Sequence, residues 1–332
     1  MAALDRIGCH RCGRVRLHAD APCPACGAAP AAGAAVAGAS EPFVGRRGEL
    51  QLAHDALGGA LAGRGRVVML SGEAGIGKTR LAQEVAMLAL RRGMLTLWGR
   101  CLEEPGAPPF LPWSRAMQAC LRACRDERLP ALLGREAAAA VEIAPELAER
   151  LPPGTAVPAI GEGDQARFRL FASITHFWRQ VATLRPLLLI LDNLHWADAS
   201  SLRLLAFIAQ DVGESRILLL GSCREAGLSR QRPLAATLAE LLNTRQFCRL
   251  PLQGLSLDET ERMVAAASAV TPPPAVIATM HRRTEGNPLY LVETLRFLHQ
   301  GPHGDDPNAA AARVETVPSG IRAVIGQRLN QL

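Results

Sequence analysis

Lys78 is the only lysine among 37 basic residues, and it stands inside GEAGIGKT, Gly72 to Thr79. The spacing G-x-x-x-x-G-K-[ST] is met in full by Gly72, Gly77, Lys78 and Thr79. Successive backbone N–H groups of such a loop turn inward and form a nest for an anion. A helix starting near Lys78 adds its positive N-terminal end. The Lys78 ammonium would reach the β- and γ-phosphates of a nucleotide, and the Thr79 hydroxyl would hold Mg²⁺. Glu73, Ala74, Gly75, Ile76 and Arg80 complete the surround of the phosphate tail. Glycine is required where a side chain would block the backbone from the phosphates.

A second chemical signal is LLLILDNLHWAD, Leu187 to Asp198. An apolar strand ending in Asp192 delivers a carboxylate to the top of a sheet, where it would hold Mg²⁺ through water. Asn193 follows, where a second carboxylate would activate an attacking water. An amide can orient water but has no basic site to take its proton, so slow hydrolysis is expected. Fast turnover would need a base from elsewhere, for which Glu73 in the loop is the substitute to consider. ILLLGSCRE, Ile217 to Glu225, ends another strand with Arg224, whose guanidinium could report a γ-phosphate; a surface role is the alternative in so arginine-rich a chain. Trp196 reads equally as packing, and Asp198 as a helix cap.

These groups need a frame. RVVMLS before the loop reads as a buried strand, and TRLAQEVAMLALRR after it as an amphipathic helix. Short apolar strands near Val67–Ser71, Leu95–Trp98, Leu187–Asp192, Ile217–Gly221 and Phe247–Leu252 alternate with helices near Thr79–Arg92, Gln165–Leu184, Ser200–Asp211 and Leu234–Asn243. That alternation predicts an α/β fold with a parallel five-stranded sheet. Residues 101–164 form an insertion: PGAPPFLPW is a proline-rich loop, and MQACLRAC and REAAAAVEIAPELAERL look helical. After Leu252 the pattern is all-helical. Ser256 and Glu259 predict a capping box, with further helices near Ala275–Thr284, Pro288–His299 and Gly320–Leu332. The expected domains are therefore 1–27, a linker 28–40, a core 41–253 and a helical lid 254–332.

The segment 1–27 has its own chemistry. Cys9, Cys12, Cys23 and Cys26 form two C-x₂-C pairs separated by ten residues. Two such knuckles supply four thiolates, a set suited to tetrahedral Zn²⁺. So short a stretch needs the metal to fold. A redox pair would call for a βαβ setting that is missing here. The segment resembles the zinc ribbons of bacterial signalling proteins. Arg6, Arg11, Arg14 and Arg16 admit a nucleic-acid contact, with a structural or protein-contact role as the alternative. Cys101, Cys120, Cys124, Cys223 and Cys248 read as small core residues.

Composition bounds the rest. The 332 residues are 48% hydrophobic but only 4% aromatic, so Leu, Val, Ile and Ala must build the core. A net charge of +6 spread along the chain fits a solvated arginine-rich surface better than a nucleic-acid patch. Nine cysteines, an odd number, with no secretion signal argue against a disulfide framework. No apolar run approaches the roughly 20 residues of a membrane helix. A cytoplasmic protein is expected.

The runs FVGRRGEL, GEAGIGKTRL, LDNLHWADASSLRLL, GSCRE, EGNPLYLVETLRFL and VPSGIRAVIGQRL together resemble the AAA-type ATPase module of STAND signal-transduction ATPases, which include LuxR-type regulators and cyclase-associated modules. The resemblance covers about Pro42 to Leu332. It implies a P-loop NTPase core of the ASCE/AAA type with ATP or ADP and Mg²⁺ bound. By the same analogy Val44, Gly45 and Arg46 lie near the adenine, Arg224 is the sensor arginine, and Pro288 places the lid against the base. Arg47 and Asn193 stand where the family often has Glu and Asp. The implied function is an ATP-binding switch with weak ATPase activity that self-associates or engages a signalling partner. DNA would be reached only through a domain absent from this chain. A mechanochemical AAA+ ATPase acting on DNA or protein, or a hydrolysis-dead scaffold, remains the alternative.

Overall fold

The structure is a computed structural model that describes residues 7–8, 15–16, 43–104, 106–124, 126–157, 163–224, 232–268 and 271–299. Cys9, Cys12, Cys23 and Cys26, and the helix expected over Gly320–Leu332, lie outside the described residues. Near the N-terminus, β1 (Ile7–Gly8) and β2 (Val15–Arg16) pair antiparallel.

Then follow α1 (Arg47–Leu61), β3 (Arg66–Gly72), α2 (Lys78–Arg91), β4 (Leu95–Arg100), α3 (Leu111–Ala123), α4 (Leu129–Leu133), α5 (Asp164–Leu184), β5 (Leu187–Asp192), α6 (Ala199–Asp211), β6 (Ile217–Arg224), α7 (Arg232–Leu241) and β7 (Phe247–Pro251). Three helices close the series: α8 (Leu257–Ala267), α9 (Pro274–Thr284) and α10 (Pro288–His299). The sheet runs β4-β5-β6-β3-β7. β5 lies parallel to β4, pairing Asp192 with Arg100, and parallel to β6, pairing Leu191 with Gly221. All six residues of β5 are buried, as a strand covered on both faces must be.

The chain forms two compact units. In its described part, the first holds β1 and β2, Leu50–Ser71 and Ala82–Leu250; the second gathers the segment ending at Glu49, the loop Gly72–Leu81, and the chain from Pro251 onward. The first has a continuous core in which Trp113, Phe177 and Trp178 are the largest fully buried side chains alongside Leu, Ile and Ala. The second has its own core of Leu255, Met263, Val264, Val276, Ile277, Met280, Leu291, Leu295 and Leu298, against which Val44 packs.

The insertion differs from its expected form in two places. α3 begins inside the proline-rich run, because Pro112 in a first turn gives up an N–H that has no partner there. The run REAAAAVEIAPELAERL, expected to be helical, is broken into two short 3₁₀ helices, Ala138–Glu142 and Pro145–Arg150. Pro145 has no N–H to bond backward, so the backbone must restart there. Among the five described cysteines, Cys101, Cys120 and Cys223 are buried and Cys124 and Cys248 only partly so.

Candidate functional site

In the second unit the chain leaves β3 at Gly72 and enters α2 at Lys78, with the glycine loop between. Gly75 has φ 77° and Gly77 φ 101°, conformations that L side chains rarely adopt. A Cβ at Gly75 would also sit 2.7 Å from the Leu289 Cβ. A Cβ at Gly77 would meet nothing within 4 Å, so the loop has room on that side. Lys78 is buried to 7% exposure, and its Nζ donates to the carbonyls of Gly72 (2.9 Å) and Glu73 (2.7 Å).

Two further carbonyls of the loop are held by side chains. Asn287 Nδ2 donates to Ala74 O at 3.0 Å, and the Arg46 guanidinium donates to Ile76 O at 3.0 Å. In a trans peptide the C=O and the following N–H point in opposite directions. Each bond therefore turns the N–H of the following residue, Gly75 or Gly77, away from the side chain that holds the carbonyl. Those donors, with the helix end beside them, suit an anionic phosphate tail.

Arg46 is itself fixed twice more. Its guanidinium pairs with Glu49 at 3.1 Å, and its backbone N–H donates to Glu259 Oε1 at 3.1 Å. Glu259 completes the capping box of α8 with Ser256. Burial would raise the Glu259 carboxyl, but hydrogen bonds from Ser256 and Arg46 and the Arg46 charge hold it below the usual range. Arg80 stands 5.8 Å over the Phe43 ring. After α9, Glu285 (φ 51°) and Gly286 (φ 67°) turn the chain through left-handed backbone. Asn287 and half-buried Pro288 then open α10.

In the first unit, Asp192 ends β5 fully buried. Ser222 Oγ on β6 donates to Asp192 Oδ1 at 2.6 Å and accepts the Asn193 N–H at 3.0 Å. Asn193 has φ 62° and ψ 42° and starts the 3₁₀ turn Leu194–Trp196. Asn is among the few side chains that enter this region readily. Asp198 caps α6 by accepting from Ser201 N at 2.9 Å, and it also accepts from Phe110 N at 3.1 Å. Trp196 packs partly buried on the core. The Cys101 N–H donates to Asp192 O at 3.0 Å. The Cys101 thiol is pushed up to about 12, first by burial and then by the charges of Asp192 and Asp198. Arg224 is half-buried at the end of β6.

The loop residues, Val44, Arg46 and the Asn287–Pro288 turn thus share one unit, while Asp192, Asn193 and Arg224 share the other. Two residues were given no role by the sequence reading, although Ser222 lies in the run GSCRE and Asn287 in EGNPLYLVETLRFL. The partners they bond identify their roles.

A glycine loop between strand and helix, in a chain with a parallel sheet whose β5 ends in a buried aspartate, defines a P-loop nucleoside-triphosphatase fold. The AAA ATPase domain family matches residues 42–220, and the chain belongs to that family. An uncharacterized protein of Rhizobium meliloti (strain 1021) is 22% identical over 306 residues, spanning 88% of this chain. The chain covers only 28% of that relative's length. A STAND signal-transduction ATPase with a tetratricopeptide repeat sensor from Pyrococcus horikoshii aligns over 84% of this chain and 33% of its own, at 19% identity and a TM-score of 0.44. A Thermotoga maritima RuvB variant aligns over 83% and 70%, at 16% identity and a TM-score of 0.45. Cdc6p of Pyrobaculum aerophilum aligns over 78% and 62%, at 12% identity and a TM-score of 0.46. Among the described residues, no helix is long and apolar enough to cross a membrane.

Proposed function

We propose that this chain is the ATP-binding switch of a larger cytoplasmic signal-transduction protein of STAND type, with slow hydrolysis resetting it. The observation that carries the reading is the bond from Asn287, at the head of a lid helix, to Ala74 O in the phosphate loop. A ligand that fills this loop acts on a segment to which the lid is directly attached. Such a ligand shifts the lid by as much as it binds one lid position better than another.

In this reading the loop N–H groups and Lys78 take the phosphate tail. Lys78 exchanges its carbonyl partners for phosphate oxygens. The oxygen donors Thr79 and Asp192 suit a hard Mg²⁺ ion, which would neutralise the charge of the triphosphate. Val44, Gly45 and Arg46 are assigned to the adenine side, Arg46 through its backbone, since its guanidinium holds Ile76 O. Pro288 closes over the base, and Arg224 reports the γ-phosphate. Asn193 orients the water without deprotonating it, so turnover is slow. Self-association or a signalling partner would read the ATP state.

The test is limited proteolysis of the lid with ADP and with ATP plus Mg²⁺. The two nucleotides should give different cleavage rates between Pro251 and His299, and Lys78→Ala should abolish the difference. Identical rates with both nucleotides, in a protein shown to bind them, would remove the switch.

The four-cysteine set Cys9, Cys12, Cys23 and Cys26 is proposed as a separate structural Zn²⁺ site. Elemental analysis should find one zinc per chain, lost on replacing Cys9 and Cys12 by serine.

A further inference from the structure

We propose that Asn287 is a positioning residue that sets the phosphate loop in its anion-binding form, an inference resting on the nucleotide-switch reading above. Asn287 is 2% exposed, and both ends of its amide are used. Oδ1 accepts from the Leu289 N–H at 3.2 Å and caps the first turn of α10. Nδ2 donates to Ala74 O at 3.0 Å. The opposite amide orientation would set acceptor against acceptor and donor against donor, so these two partners fix it.

The consequence lies in the Ala74–Gly75 peptide. With Ala74 O tied to Asn287, the trans peptide turns the Gly75 N–H away from that side chain. Leu289, two residues on, covers Gly75 at the place a Cβ would occupy. The head of α10 therefore braces the middle of the loop from outside. Arg46 does the same for the Ile76–Gly77 peptide, but from the segment before α1. Asn287 is the brace that belongs to a lid helix. A nucleoside di- or triphosphate that orders the loop also strengthens its attachment to α10, and by linkage α10 in place favours the nucleotide.

Asparagine is the residue that can do both tasks. Serine keeps a capping oxygen for the Leu289 N–H but is too short to reach Ala74 O and has no amide donor. Asn287→Ser therefore separates brace from cap; Asn287→Ala removes both. In the nucleotide-free protein, Asn287→Ser should lower the melting temperature by only a few degrees, the size of one lost hydrogen bond, while the ¹⁵N order parameter of the Gly75 amide falls from about 0.85 toward 0.6. ADP affinity should fall about five- to tenfold, the size expected for one lost buried hydrogen bond. Asn287→Ala should lose the same affinity and melt lower still.

An Asn287→Ser protein with wild-type ADP affinity and an unchanged Gly75 order parameter would overturn the assignment. So would a loss of affinity that appears only together with unfolding of α10. If the wild-type chain takes up no ADP, the nucleotide reading fails instead. The Gly75 order parameter of the free protein then still decides whether Asn287 orders the loop.

Discussion

Ser222 donates a 2.6 Å hydrogen bond to Asp192 Oδ1 and accepts the N–H of Asn193 on the same oxygen. One hydroxyl on β6 thus orients the buried carboxylate at the end of β5 and anchors the left-handed residue after it. Arg224 lies two residues further along the same strand.

Ser222→Ala should therefore cost about 1–3 kcal/mol of stability, the usual range for removing one hydrogen-bond donor to a buried polar group. The Mg²⁺ concentration needed for half-maximal ATP binding should rise several-fold. Ser222→Thr, which keeps the hydroxyl, should restore both. Equal Mg²⁺ midpoints for the alanine and wild-type proteins would separate Asp192 from the metal.

Asn193→Asp adds a carboxylate where a base would take a proton from water. Aspartate tolerates the left-handed backbone nearly as well as asparagine, so the fold should persist. Steady-state hydrolysis should rise at least tenfold, against about 10²–10⁴ for a well-placed general base. No rise in a nucleotide-binding variant would favour a scaffold over a slow switch.

The phosphate loop and β5 were legible in the sequence because their signals are local. A fixed glycine spacing sits between a β-branched run and an amphipathic one, and LLLILD is apolar until its last residue. The capping box of α8 and the Asp198 cap were legible for the same reason, each spanning three residues. Asn287 and Ser222 were not, because their partners stand 213 and 30 residues away. The left-handed backbone of Asn193 was also hidden. Its side chain first reads as a missing base, whereas the turn after β5 independently favours asparagine. The strand order β4-β5-β6-β3-β7 depends on long-range pairing that no local run encodes. In the insertion, the alanine-rich run is helical as expected but is split before Pro145 into two 3₁₀ pieces.

Glu259 links pH to stability. Its carboxyl is held below its ordinary value of 4.5, so the folded state gains stability that is fully present above that pH. The contribution fades as pH falls from about 4.5 through the lower folded value. Melting curves between pH 6 and pH 3 should show a steeper acid loss for the wild-type chain than for Glu259→Gln. Parallel curves would show that the Arg46 and Ser256 contacts are not maintained in solution.

Cys101 should be chemically silent. With the thiol pushed up to about 12, only about one molecule in ten thousand carries a thiolate at pH 8. Mass mapping after iodoacetamide treatment of the native protein should leave Cys101 unmodified. It should react only after denaturation. Rapid native alkylation would contradict the packing at the end of β4.

The central claim is that the loop Gly72–Thr79 binds the phosphate tail of an adenine nucleotide. Isothermal titration of the folded chain with ADP, with and without Mg²⁺, tests it most directly. Saturable uptake of one nucleotide per chain, reduced at least a hundredfold in a folded Lys78→Ala protein, is the predicted result. No heat of binding for either ADP or ATP with Mg²⁺ present would contradict it.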